Sequence, residues 1–208
     1  MLFFLVVASA SNEGDSAATK LTAILKEFGS SRGNFTQTRI SKEKTIIERS
    51  AGYFRVQSPS RLVWVYTNPF SHSIVIDGTT LWLYDPDLEQ VTRKDLDLQS
   101  PQIPSVLLTD YFDIPEQYDI STDKDRSLAD ASWTWFDLTP KRIANFVSVS
   151  IGVHEQQVTK VELKDTLGQL TVLEFNSLQT ELEFDDAEFQ FIPPEGVEII
   201  DALEGFNF

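Results

Sequence analysis

The chain contains no cysteine, two histidines and a single methionine. The lack of cysteine excludes a disulfide scaffold, cysteine-ligated metal sites, a cysteine nucleophile and a lipid anchor on an N-terminal cysteine. Positive charge is also scarce, because 17 Lys and Arg residues are outnumbered by 32 Asp and Glu residues, which leaves a formal net charge of −15. A surface this negative repels phosphate backbones, so we expect no nucleic acid among the ligands.

Long hydrophobic runs are missing except at the start, where residues 1–8 are apolar. This run is too short to span a bilayer. The small residues Ala8, Ser9 and Ala10 follow it and fit a signal-peptidase site. We therefore predict that residues 1–10 are a signal peptide with a truncated start, and that the mature chain begins near Ser11. A short buried strand or a tail is the competing interpretation. An exported chain without cysteine is more typical of a bacterial periplasm than of a disulfide-rich extracellular module.

Residues 11–208 fit a single domain with a sizeable core. Near its start, Asp15 or Ser16 can cap a helix that Gly29 ends, with an apolar stripe along one face. The stripe consists of Leu21, Ile24, Leu25 and Phe28.

From Asn34 to Lys94 the apolar residues alternate with polar ones, which predicts consecutive β-strands. Asp77-Gly78 predicts a tight hairpin, and Asp85-Pro86-Asp87 predicts a turn. Residues 101–112 predict a short apolar helix, after which strands resume near residues 117–122, 131–138, 145–151, 158–164 and 169–175. Phe189–Pro194 is predicted to end the last strand, after an acidic edge or turn at Glu181–Glu188. The fold class is therefore mainly β (α+β): about 11 antiparallel strands with a few short helices against one face.

One face of the first strands is broadly apolar and aromatic: Phe54, Leu62, Trp64, Tyr66, Ile74 and Ile76. An antiparallel sheet of this many strands curls into a barrel or half-barrel, whose interior can hold a hydrophobic ligand under a helical lid. A core filled by side chains alone fits the same pattern, and the sequence leaves both interpretations open.

Residues that support catalysis are few. Neither His72 nor His154 has a nearby metal-type partner, and the chain has no nucleophile elbow and no phosphate loop. Asp85 and Asp87 are more typical of a turn than of a paired-carboxylate site. We therefore predict that the protein is not an enzyme and needs no cofactor or metal.

An ordered set of segments resembles the LolA family, the periplasmic carriers that move lipoproteins to the outer membrane. The resemblance runs from about residue 15 to 200 and is carried by Asn34–Gln37, Arg61–Trp64, Val75–Gly78, Leu81–Asp87, Glu89–Thr92, Ile103–Leu108 and Phe189–Pro194. It implies an incomplete antiparallel β-barrel closed by a lid of short α-helices, with an acyl-binding cavity between them.

The resemblance also implies a function. The carrier would take acylated lipoproteins from an inner-membrane ABC transporter and hand them to an outer-membrane receptor lipoprotein, without covalent chemistry. A shuttle of this kind is most simply a monomer. The alternation along the strands and the resemblance to the family together predict which residues line this cavity and bind lipid. They are Leu25, Phe54, Leu62, Trp64, Tyr66, Ile74, Ile76, Leu107 and Leu108.

Two other functions fit the sequence: a LolA-like carrier of another amphiphile, such as a glycolipid, or a non-enzymatic β adaptor with a filled core. The chain also departs from the family at Ser58, where many members carry an arginine thought to latch the sheet to the lid. Arg55 and Arg61 are nearby, but alternation points both away from the apolar face. Val63 and Val65 make that outer face unusually apolar, which fits either a contact surface or β-propensity.

Overall fold

The structure is a computed structural model that describes residues 10–96, 114–142, 144 and 146–202, with side chains from Ala17 onward. The predicted helix over residues 101–112 lies outside these residues, as do Leu107 and Leu108. The three described α-helices are α1 (Ala10–Phe28), α2 (Ile114–Gln117) and α3 (Lys124–Ala129), and a short 3₁₀ helix covers Asp186–Phe189.

The described strands all belong to one sheet. They are β1 (Ser30–Ile40), β2 (Ile46–Gln57), β3 (Arg61–Asn68), β4 (His72–Asp77), β5 (Thr80–Asp85), β6 (Gln90–Asp95), β7 (Tyr118–Thr122), β8 (Trp133–Pro140), β9 (Phe146–His154), β10 (Gln157–Asp165), β11 (Leu170–Gln179) and β12 (Glu198–Asp201).

The sheet consists of two antiparallel meanders, β1 to β6 and β7 to β11, joined where β1 pairs with β11. Short connections make consecutive strands neighbours, as expected of antiparallel pairing. Strands β7 and β12 lie at the two edges of this sheet, so within the described residues it stays open. The prediction of a mainly β fold, with an incompletely closed sheet of about 11 strands and a few short helices, is confirmed, and the described sheet has 12 strands.

The strand expected at the C-terminal end was placed wrongly. Asp186–Phe189 forms the 3₁₀ helix, residues 190–197 form no strand, and the last strand is β12. This twelfth strand pairs in parallel with β6, whereas the sequence predicted only antiparallel pairing. Its four residues are all exposed and carry no alternating pattern that could reveal it.

Helix α1 packs its apolar stripe on one face of the sheet, here called the inner face. Leu21 and Leu25 are completely buried and Phe28 almost so, whereas Lys20 and Lys26 are exposed. The helix includes Ala10, so the predicted cap at Asp15 or Ser16 was wrong. Its predicted end is confirmed, because Gly29 N donates to Leu25 O at 2.8 Å and β1 starts one residue later.

Two aspartates organise hairpins, as their positions before turns predicted. Asp77 Oδ1 accepts hydrogen bonds from the backbone N–H groups of Thr79 and Thr80 at 3.1 and 2.9 Å. Asp85 Oδ1 does the same for Asp87 and Leu88 at 3.0 and 3.1 Å. Both carboxylates therefore serve the turns, as short side chains beside hairpins commonly do.

Candidate functional site

The structure brings seven of the nine predicted lipid-binding residues into one buried cluster on the inner face. Exposure of each is 9% or less: Leu25 0%, Phe54 2%, Leu62 1%, Trp64 1%, Tyr66 9%, Ile74 6% and Ile76 0%. Leu25 belongs to α1, and the other six lie on β2, β3 and β4. The alternation argument therefore selected one face correctly; that these side chains bind lipid stays a prediction.

Strand register explains why these side chains meet. Phe54 lies opposite Trp64, Trp64 opposite Ile74, and Ile74 opposite Leu83, which forms one row across four strands. Residues directly opposite each other point to the same side of a sheet. Leu83 was not among the predicted site residues, although its alternation with Leu81 was visible in the sequence.

An aromatic stack fills the centre of this face. The ring of Trp64 stacks on Phe35 with centroids 4.0 Å apart, and on Phe54 at 5.5 Å. Phe28 of α1 covers Phe54 at 5.5 Å and Phe175 of β11 at 5.3 Å. In the part of the chain that the structure describes, α1 and the sheet thus pack directly against each other here. An acyl chain bound against Phe54 or Phe175 would take over contacts that Phe28 now makes.

The inner face changes from apolar to polar along the strands. On β3 the inward positions run from Leu62 through Trp64 to Tyr66, and on β4 they run from Ile76 through Ile74 to His72. At the same end of β1, Gln37 follows Phe35, and at that end of β5, Asp85 follows Leu83. We call this the polar end, defined by Gln37, Ser50, Tyr66, His72 and Asp85.

Tyr66 marks the boundary between the two regions. Its hydroxyl donates to Gln37 Oε1 at 3.0 Å, and its ring stacks on His72 at 4.0 Å. Burial raises the pKa of the Tyr66 phenol above its ordinary value, so the group stays neutral at physiological pH. The boundary is therefore a neutral, hydrogen-bonding surface beside an apolar one.

An open cavity of about 450 Å³ lies at the polar end. It is lined by His72, Ser73, Leu83, Tyr84, Asp85, Leu88, Gln90 and Thr92. Leu83 belongs both to this lining and to the row that contains Trp64. The volume falls in the range of small-molecule sites, which are largely apolar with a few polar groups.

The outer face of β3 and β4 is covered by the segment that follows β11. The 3₁₀ helix contacts both strands, and Phe189 and Val75 are 1% and 6% exposed. Arg55 binds Glu188 at 2.8 Å, and Arg61 binds Asp186. Val63 lies opposite the buried Val75 on this outer face, and both arginines point away from the inner face as predicted.

The described residues contain no group of three His, Asp or Glu side chains arranged to hold a metal ion. None of their helices is long and apolar enough to cross a bilayer. His72 stacks on Tyr66, and His154 lies 5.2 Å from the ring of Trp133.

The sequence matches the profile of the family described as outer membrane lipoprotein carrier protein LolA, over residues 26–192. The chain belongs to the LolA family. It is 33% identical to an outer-membrane lipoprotein carrier protein of Methylococcus capsulatus, over 88% of this chain and 86% of the relative. It is also 33% identical to one of Neisseria meningitidis, over 95% of both chains. The resemblance predicted from the ordered segments is confirmed.

Solved structures show the same fold at low identity. A LolA superfamily protein from Nitrosomonas europaea aligns with a TM-score of 0.53 and 15% identity, covering 86% of this chain and 98% of its own. An uncharacterised conserved protein from Thermus thermophilus aligns with a TM-score of 0.58 and 12% identity, covering 90% of this chain and 99% of its own. These similarities support the architecture alone.

Proposed function

We propose that this LolA-family protein is a periplasmic carrier that binds the acyl chains of lipoproteins on its inner face. It would receive them from an inner-membrane ABC transporter and deliver them to an outer-membrane receptor lipoprotein. The observation that carries this proposal is the inner face itself. Around Leu62 and Trp64 this face is apolar and aromatic. Around Tyr66 and His72 it is polar, and the open cavity lies at this polar end. This sequence of environments matches an amphiphile with acyl chains at one end and a peptide at the other.

The energetics favour a cavity of this kind. Each exposed CH₂ group of an acyl chain costs about 0.8 kcal/mol in water, so a lipoprotein needs a cover to cross an aqueous space. The cover must also be reversible. Contacts between α1 and the aromatic stack would be replaced when acyl chains bind and restored when they leave, so closure of the empty protein opposes tight retention.

Native mass spectrometry tests the proposal directly. The protein is mixed with a triacylated lipopeptide and, separately, with the same peptide without acyl chains. We expect a one-to-one complex with the acylated peptide and none with the other. A folded protein that binds no acylated probe would refute the carrier function and favour an adaptor with a filled core.

Paired variants separate the two faces of the sheet. Leu83→Gln places a polar group on the half-buried wall of the cavity, and we expect it to weaken acyl binding about tenfold or more. Tyr53→Asp is the control, because Tyr53 is 41% exposed and next to the inward-pointing Phe54. It should leave binding unchanged. Equal losses in both variants, or a Leu83 variant that loses folding in step with binding, would contradict an inner-face site.

Localisation has its own test. We propose that the chain is exported and cleaved after Ala10, which rests on Ala8-Ser9-Ala10 and on the family. Mass spectrometry of periplasmic material from cells producing the chain behind a complete signal peptide should show Ser11 as the first residue. Uncleaved protein there would refute this boundary.

A further inference from the structure

The hairpin between β1 and β2 projects beyond β3 at the polar end of the inner face. Strand β2 pairs with β3 only from Ala51 onward, so its preceding residues pair with β1 alone. On its other side, β1 pairs with β11 as far as Ile40, so the turn between β10 and β11 lies beside this hairpin. A Cβ on Gly168 in that turn would lie 3.3 Å from Lys42 Cγ. The two turns therefore touch and form one projecting tip.

This tip carries exposed apolar side chains. Ile46 and Ile47 are 47% and 49% exposed, and Leu167 in the adjoining turn is 73% exposed. Consecutive residues of a strand point to opposite faces, so no single neighbouring element could cover both isoleucines. Single exposed apolar residues are common on protein surfaces, but a group of them on adjoining turns is typical of an interaction site.

The same tip is basic although the chain is acidic. Residues 39–49 contain four basic and two acidic side chains, whereas the whole chain has 17 and 32. Lys42 and Lys44 are exposed, and neither forms an ion pair with another residue that the structure describes. By contrast, Arg55 and Arg61 on the outer face are both paired with carboxylates. The lysines of the tip thus remain available to an anionic partner.

We call this group of exposed apolar and basic side chains the tip surface. It consists of Lys42, Lys44, Ile46, Ile47, Lys164 and Leu167.

We propose that the tip surface docks the protein on an anionic lipid surface. Its apolar side chains enter the lipid interface, and its lysines bind lipid phosphates. Affinity for such an interface increases with the apolar area that is buried and with the attraction between basic side chains and anionic lipids. A lipid interface accepts apolar side chains from separate turns, whereas a protein partner requires a continuous apolar core.

The charge of the rest of the molecule sets the orientation. A formal net charge of −15 repels anionic lipids, so the basic tip is the part of the described surface that they attract. Docking through this tip turns the polar end of the inner face towards the lipid surface. The inference goes beyond the proposed function, because it concerns where the protein meets a membrane and does not require that it binds acyl chains.

Sedimentation with vesicles tests the docking. One set of vesicles contains phosphatidylcholine with about 30% phosphatidylglycerol, and the other contains phosphatidylcholine alone. We expect the wild-type protein to bind the anionic vesicles at least about tenfold more tightly than the neutral ones at low salt. Binding should weaken as salt is added, because salt screens the attraction between exposed charges.

A pair of double variants tests the lysines. Lys42→Ala combined with Lys44→Ala should weaken binding to the anionic vesicles about tenfold or more, because each lysine near such a surface contributes a factor of about five. Lys20→Ala combined with Lys26→Ala is the matched control, since it removes the same charge from the exposed side of α1. It should leave binding nearly unchanged.

The apolar side chains have their own pair. Ile46→Ser combined with Ile47→Ser should weaken vesicle binding about tenfold or more through lost apolar contact. Leu128→Ser is the control, because Leu128 is 82% exposed on α3, which joins β7 to β8 at the opposite end of the sheet. Binding by this variant should match that of the wild type.

Three results would overturn the docking. The first is a wild-type protein that does not bind anionic vesicles at low salt, which would favour a protein partner for the tip surface. The second is an equal loss in the two double lysine variants, because net charge alone would then explain binding. The third is unchanged binding in the double isoleucine variant.

The carrier function can fail separately. The substitutions in the tip surface leave the inner face intact, so these variants should still form the one-to-one complex with the triacylated lipopeptide. Lost vesicle binding with a retained lipopeptide complex would leave the carrier function standing. A wild-type protein that binds vesicles but no acylated peptide would refute the carrier function and support the docking.

Discussion

The carbonyl oxygen of Val65 occupies the space that a side chain on Gly52 would need. A Cβ built on Gly52 would overlap this oxygen, lie 2.8 Å from the carbonyl carbon of Val65, and lie 3.0 Å from Phe35 Cε1. The pairing of β2 with β3 shifts register between Ala51 and Gly52, and at this irregularity the backbone of Val65 lies where a Cβ on Gly52 would be. Because Gly52 adds no side chain, the Phe35 ring can reach Trp64.

Gly52→Ala should therefore destabilise the protein by about 3 kcal/mol, since the obstruction is backbone that cannot rotate away. Urea unfolding followed by far-UV circular dichroism measures the change. Gly152→Ala is the comparison, because the atoms nearest to its Cβ would belong to the Trp135 side chain, at 2.7 Å and beyond, and not to backbone. We expect a smaller loss there. A Gly52 variant as stable as the wild type would show that the strands can separate without cost.

Leu25 tests the contribution of α1 to the closed protein. The side chain is completely buried in the core cluster, so Leu25→Ala should lower the free energy of unfolding by about 2–5 kcal/mol. Lys26→Ala removes an exposed neighbour and should change it by less than about 0.5 kcal/mol. Thermal and urea unfolding of the two variants gives the comparison. Similar small effects in both would mean that α1 does not stabilise the sheet.

The lowered pKa of Asp77 predicts that the stability of the protein depends on pH. Burial by itself would raise the pKa of its carboxyl, but hydrogen bonds from Trp82, Thr79 and Thr80 hold it below the ordinary value of 3.8. A pKa lowered by folding stabilises the protein above the unfolded-state value and ceases to do so as the pH falls through the folded-state value. Asp77→Asn should thus be less stable than the wild type at pH 7.

The difference between the two proteins should shrink as the pH falls below about 4, because the carboxyl of the unfolded wild-type chain is then protonated before that of the folded protein. Urea unfolding at several pH values measures it. Asp87→Asn alters an exposed carboxylate in the next hairpin and should change the free energy of unfolding at pH 7 by less than about 0.5 kcal/mol. A constant difference between the Asp77 variant and the wild type would contradict the assigned hydrogen bonds.

Phe189 anchors the C-terminal segment on the outer face. It is 1% exposed and its ring meets Phe184 at 5.4 Å, so Phe189→Ala should cost about 3–5 kcal/mol. Ile192→Ala alters a side chain that is 82% exposed and should have little effect. Limited proteolysis should cut the Phe189 variant preferentially within residues 180–197. Equal resistance in both variants would mean that the ion pairs of Arg55 and Arg61 hold the segment alone.

Much of the fold was predictable because local patterns specify it. Alternation on β3 and β4 placed Leu62, Trp64 and Ile74 on one face, since side chains in a strand alternate strictly between faces. Asp77-Gly78 predicted its hairpin because that pair fits a tight turn. The helical stripe around Leu25 identified the buried side of α1.

Contacts between segments that are far apart in the chain could not be predicted from local sequence patterns. Phe189 was expected in a strand, but it belongs to the 3₁₀ helix that packs on β3 and β4. This helix follows the two strands by more than a hundred residues. The exposed residues of β12 show no alternation, and their parallel pairing with β6 depends on where the preceding segment runs.

By itself, the sequence determined the family, the mainly β fold and the inward-pointing residues, because each follows from spacing along the chain or from an ordered set of segments. The tertiary structure alone decided which residues lie beside one another across strands. It placed Leu83 in the row of Trp64, Tyr66 against Gln37 and His72, and the cavity at the polar end. These neighbours come from different strands and segments, so no local pattern in the sequence records them.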